Sequence, residues 1–268
     1  ALDARGSGAP EDVYAMAAHY AAGETARAPE RVFRTGLAAG RLALAENAVA
    51  AAVAFLEPAA AAAEAGNIAP DSGFREALAQ AYLRTGRLDA AKRELRLAMD
   101  SEPEPLRRAA LLLTLSIAQR GAWEISAAID TCREGLALIG RPMPRNRLVL
   151  LVSTLWSLLL AGAAGKLGWG RLHPTRTPPD VRERVRLHAA LNLVAAYTCG
   201  IGVMNPDGPF FMARAGWPAT RLGNSTEYVE SQVGLGMFFA SLRRWGRAER
   251  VFARAAAIAT SDMGDPKL

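Results

Sequence analysis

Leu78-Ala79-Gln80-Ala81-Tyr82, Arg84-Thr85-Gly86-Arg87-Leu88 and Ala90-Ala91-Lys92-Arg93-Glu94-Leu95 lie within one short stretch and read as two helices joined by a turn. On the first helix a large-small pair, Leu78-Ala79, precedes Tyr82 by one turn. On the second, Ala91, Leu95 and Ala98 recur at helical spacing, and Pro103 closes the unit. Leu78 lies 13 residues before Ala91 and 25 before Pro103. Small side chains at such offsets let two antiparallel helices approach closely, while the large ones fill the gap. Gly86 supplies the left-handed turn residue. Composition agrees: the chain is 51% hydrophobic and only 7% aromatic. Its apolar share is mostly Ala and Leu, which lose little on entering a helix. The β-branched and aromatic residues that favour strands are sparse.

The pattern recurs. Leu235-Gly236-x2-Phe239 precedes Ala248-x3-Phe252 and Ala255 with the same 13-residue offset, Arg243 taking the turn position and Thr260 the closing one. Looser copies hold Gly40, Ala52-x3-Leu56 and Ala59, then Leu115-Ser116, Ala128-x3-Cys132 and Gly135. This is the tetratricopeptide pattern without its leading Trp. It predicts an all-α fold, a tetratricopeptide-like α-α superhelix (solenoid) with an irregular central section. The expected organisation is a junction helix over 1–24 following a missing upstream domain and three degenerate repeats over 25–140. An irregular helical section over 141–226 and a further repeat over 227–268 complete it. Gly264-Asp265-Pro266-Lys267-Leu268 reads as the opening of another helix, so the array is expected to be truncated there.

Leu148 to Ala164 is 17 residues without a charge, flanked by Arg145, Arg147 and Lys166. That is the lower limit for a membrane span, and Ser153, Thr154 and Ser157 dilute it. A helix from Asn146 to about Gly165, buried at the centre of a helical stack, is the expectation. A Pro/Gly-rich loop follows over Leu167–Pro179. Asp180 caps a helix to about Thr198, and Asn205-Pro206-Asp207-Gly208-Pro209 makes a turn. The next helix reaches Leu222, kinked at Pro218.

No catalytic, metal or cofactor motif emerges. Gly162-Ala163-Ala164-Gly165-Lys166-Leu167 is two residues too short for a phosphate loop, and Leu167 cannot ligate magnesium. Gly200-Ile201-Gly202 lacks a third glycine and a preceding strand. His19, His173 and His188 are far apart and lack partners at ligand spacing. The carboxylate pairs Glu46/Glu57 and Glu227/Glu230 are expected on exposed faces. Cys132 and Cys199 read as buried free thiols of a cytoplasmic protein. A net charge of +6 comes mainly from scattered Arg, not from a basic stripe, which argues against nucleic acid as the partner.

Several stretches resemble the repeat region of bacterial signal-transducing ATPase regulators. They are His19-Tyr20-Ala21-Ala22-Gly23-Glu24, Gly36-Leu37-Ala38-Ala39-Gly40-Arg41-Leu42-Ala43, and Gly135-Leu136-Ala137-Leu138-Ile139-Gly140-Arg141-Pro142-Met143-Pro144-Arg145. In that family a nucleotide-binding module precedes the repeats, and outputs include LuxR-type DNA-binding and class III adenylate cyclase domains. The resemblance implies a non-catalytic sensor or interaction scaffold without a cofactor of its own and without a membrane partner. Its partners would be a protein or peptide, a small-molecule inducer and the neighbouring ATPase domain. The expected concave-face residues are Glu76, Gln80 and Arg84 in one repeat and Val233, Met237 and Ser241 in another. The alternatives are a nucleic-acid-binding repeat, or an enzyme site in the 167–179 loop using Trp169, His173 and Arg176.

Overall fold

The computed structural model describes residues 10–23, 27–167, 170–173, 175–201 and 207–261. Among them every regular element is an α-helix: α1 (Pro10–Ala22), α2 (Pro29–Ala45), α3 (Val49–Ala65), α4 (Ser72–Arg84), α5 (Leu88–Ser101), α6 (Pro105–Gly121), α7 (Ile125–Leu138), α8 (Arg147–Leu167), α9 (Pro179–Ile201), α10 (Gly208–Leu222), α11 (Thr226–Ser241) and α12 (Trp245–Ser261). The chain forms two compact units, Ala1–Pro103 and Glu104–Leu268. The division falls within the stretch read as three successive repeats.

Four helical hairpins, α2–α3, α4–α5, α6–α7 and α11–α12, share one local geometry. Each has a small residue on its first helix: Gly40, Ala79, Ser116 or Gly236. Seven residues later the chain turns through a positive φ, at Asn47 (57°), Gly86 (76°), Trp123 (61°) and Arg243 (55°). The next residue donates its N–H back across the turn, from Ala48 to Ala43 O, Arg87 to Tyr82 O, Glu124 to Gln119 O and Arg244 to Phe239 O, at 2.8–2.9 Å. These bonds satisfy carbonyls that a helix end leaves without partners. The second-helix alanines Ala52, Ala91, Ala128 and Ala248 are all buried, at 2% exposure or less. A Cβ on Gly40 would overlap the Leu56 side chain, and one on Gly236 would lie 2.5 Å from the Phe252 ring. Ser116 stands beside the Cys132 thiol. At Gly40, Ser116 and Gly236 the small residue faces the residue sixteen positions on.

In the first unit α1 packs on α2 and α3. Tyr14 stacks on Phe55 at 5.5 Å and donates its hydroxyl to Glu46 at 2.6 Å. Phe33 and Phe74 meet at 4.9 Å in the core. In the second unit α9 is the central helix, packed against α6, α7, α10 and α11. Leu187, Leu191, Asn192, Leu193 and Thr198 are fully buried on it. The apolar run Leu148–Ala164 does form a helix, but it does not occupy the centre. It lies against α10 with most of its leucines exposed, which corrects the expectation drawn from hydrophobicity alone. Residues 202–206, where the Asn205-Pro206 turn was expected, and Gly264–Leu268 lie outside the described residues. Helix α10 continues through Pro218.

Three substitutions bear on stability, read by chemical denaturation. Gly40→Ala should cost about 1–3 kcal/mol by overpacking against Leu56, whereas Gly246→Ala, whose added Cβ meets nothing within 4 Å, should gain up to about 1 kcal/mol. Trp123→Gly should stabilise by about 1 kcal/mol, because it relieves a left-handed residue carrying a large side chain that is 73% exposed.

Candidate functional site

The residues expected on a concave face fall into two groups, one in each compact unit. On α4, Gln80 donates to Glu76 at 3.4 Å. Arg84 reaches the end of α2 instead, donating to Leu44 O at 2.9 Å and Asn47 Oδ1 at 3.2 Å. Its guanidinium thereby helps to close the neighbouring hairpin. On α11, Val233 is half-buried, Met237 is 55% exposed, and Ser241 turns its hydroxyl to Phe238 O at 2.8 Å.

In the loop after α8, Trp169 lies outside the described residues. His173 is exposed and accepts the Thr175 N–H on Nδ1 at 3.3 Å, and Arg176 points to solvent. Leu172 donates its N–H to Arg221 O at 2.8 Å and packs on Val185, Ala189, Ala219 and Leu222. Arg221 returns a bond from Nε to Gly170 O at 3.1 Å. These contacts strap the loop to α9 and α10. Among the described residues no three His, Cys, Asp or Glu side chains are grouped as metal ligands. Cys132 and Cys199 are free and buried, and burial pushes both thiols up to about 11.

The features that stand out were not apparent from the sequence. Helix α8 is built inside out. Its inward face carries Leu150, Ser153, Thr154, Ser157 and Ala164, all buried or half-buried, whereas Leu148, Val149, Leu151, Val152, Leu155, Trp156 and Leu159 are 46–72% exposed. Small inward residues bring α8 close to α10, where a Cβ on Gly216 would sit 3.5 Å from that of Ala161. Arg214 on α10 donates to Ser153 Oγ at 3.2 Å and to the Arg141 and Pro142 carbonyls at 3.4 Å.

Between α8, α10, α11 and α12 lies a cavity of about 790 Å³, with Phe210, Met212, Leu235 and Phe238 among its walls. Met212 fills the space over the bare Cα of Gly234, where a Cβ would overlap its thioether. A second cavity of about 290 Å³ adjoins it and is lined by Gln232, Phe239, Arg247, Arg250, Val251 and Arg254. A third, of about 190 Å³, lies among α6, α9 and α11 and is lined in part by Arg120, Tyr197, Glu227 and Glu230. Glu227 is not on an open surface as expected. Its side chain is 13% exposed and faces Arg186 at 3.6 Å. Burial, followed by the Glu227 charge, raises the Glu230 carboxyl above its ordinary range. No protein-family model matches the sequence, and no curated protein matches it.

Buried polar groups also lie on α9. Asn192 donates to His188 O at 2.7 Å. Burial, followed by the charges of Arg141, Arg214 and Arg221, lowers the His188 imidazole to about 3. The imidazole is therefore neutral in the fold and protonates in the unfolded chain below about 6.5. Between those values the unfolded state binds the extra proton, so stability is lost as the pH falls. Between pH 7 and pH 5 the chain should lose about 1–2 kcal/mol through this group. The loss should be missing from His188→Gln when urea unfolding is compared at the two pH values.

Proposed function

We propose that the chain is a non-catalytic helical-repeat interaction scaffold of the tetratricopeptide-like kind. It would serve a larger cytoplasmic, ATP-dependent signalling or transcriptional regulator by docking a protein partner. The observation that carries this reading is the outer face of α8. Leu148, Val149, Leu151, Val152, Leu155, Trp156 and Leu159 are all exposed along it, and exposed apolar side chains grouped in this way mark interaction sites.

The partner best suited to it is a helix with an apolar stripe. The 18-residue window Arg147–Ala164 offers a seam about 27 Å long, at 1.5 Å rise per residue. Its apolar side chains recur at the helical spacing that helix-in-groove recognition reads. The four equivalent hairpins support a repeat scaffold, and the resemblance noted above makes a neighbouring ATPase module one source of such a helix. One observation favours a second reading: the same window is long and apolar enough to cross a membrane, and only 17% of it is buried.

A photo-crosslinking amino acid in place of Leu155, in the full-length protein inside cells, separates the two. A discrete protein adduct is expected, suppressed by Leu151→Asn combined with Leu159→Asn at unchanged helicity. Crosslinks confined to lipid, or no adduct at all, would reject the scaffold reading at this face.

A further inference from the structure

We propose that the two adjoining cavities of the second unit form one site for a small amphipathic anion. The apolar body would fill the cavity between α8, α10, α11 and α12, and a carboxylate or phosphate head would sit on the arginines of α12. This site goes beyond the partner-docking reading. It uses the inner side of α8, so its failure would leave partner docking on the outer side untouched.

Three observations converge on it. First, a volume of about 790 Å³ lies in the range of small-molecule sites, and the wall is apolar with a few polar groups. One of these, Thr154, is 8% exposed, and its hydroxyl is buried without a hydrogen-bond partner among the described residues. An unmade bond at a buried hydroxyl is costly, and a polar atom of a ligand in this cavity would supply it.

Second, Gln232 and Arg254 line both cavities, so the apolar and basic compartments are continuous. Third, Arg247, Arg250 and Arg254 follow at i, i+3 and i+7 on one face of α12, and all three border the smaller cavity. Such residues share a helical face. Arg247 lies 5.9 Å from the Phe239 ring centre. No carboxylate lines either cavity, and none of the three arginines forms an ion pair among the described residues. Guanidinium groups so placed bind carboxylate or phosphate oxygens in bidentate fashion. A partly enclosed cavity of this size, walled by four helices, suits a single dissolved ligand better than a bilayer surface.

The test is calorimetric titration of the protein with dodecanoate and with dodecyl phosphate, each below its micellar concentration. Dodecanol, inorganic phosphate and anionic phosphatidylglycerol vesicles serve as the other arms. Saturable binding of one molecule of either amphiphile is expected, with dodecanol at least about tenfold weaker for want of the charge-assisted bonds. Arg250→Glu combined with Arg254→Glu should weaken binding by at least about tenfold through the head. Ala213→Phe should weaken it by filling the apolar compartment, with circular dichroism unchanged in both variants. The proposal is overturned if inorganic phosphate binds as tightly as the amphiphiles. It also fails if only vesicles bind, if many molecules bind per chain, or if the folded Ala213→Phe and double-glutamate variants bind like the wild type.

Discussion

Close approach of paired helices at one small side chain is the constraint on which the hairpins depend. At Gly40 and Gly236 there is no room for a Cβ, because Leu56 and Phe252 already occupy the space. At Ala79 one heavy atom beyond the backbone is accommodated and at Ser116 two, and both residues are fully buried. Once the helices are that close, the connecting turn must reverse within a few residues. The left-handed residue at its centre is the local solution, even where the side chain is Trp123 or Arg243. Interiors packed at crystal-like density do not absorb an added methyl group by deforming elsewhere.

Much of this was legible in the sequence because it depends on residue size at fixed spacing. Ala52, Ala91, Ala128 and Ala248 could be placed on second helices, and Gly86 and Arg243 at turns, before any coordinates were considered. What could not be read was burial on α8. Hydrophobicity assigns its leucines to a core, but Ser153, Thr154 and Ser157 pack inward because only small side chains fit against α10. The two serine hydroxyls satisfy themselves locally, Ser153 by donating to Leu150 O at 3.0 Å and Ser157 by donating to Ser153 O at 2.8 Å. Close packing there selects for size over polarity, as it does where helices associate in an apolar solvent.

The concave-face residues were assigned from helical spacing, which places side chains on a common side without saying what that side meets. Arg84 illustrates the gap. It lies at the end of α4, and its guanidinium is engaged by the Leu44 carbonyl and the Asn47 amide oxygen at the end of α2. The cavities of the second unit combine residues from Thr154 to Arg254, and no local pattern links positions so far apart. The i, i+3, i+7 arginines of α12 were visible as residues, but their shared compartment with Phe239 was not.

Met212 sets the spacing between α10 and α11 over Gly234. A branched side chain there would fix that separation through a stiff χ1 angle, whereas a thioether with three rotatable bonds re-aims at little cost. One wall of the adjoining hollow is thus a side chain that can change rotamer without either helix having to unwind.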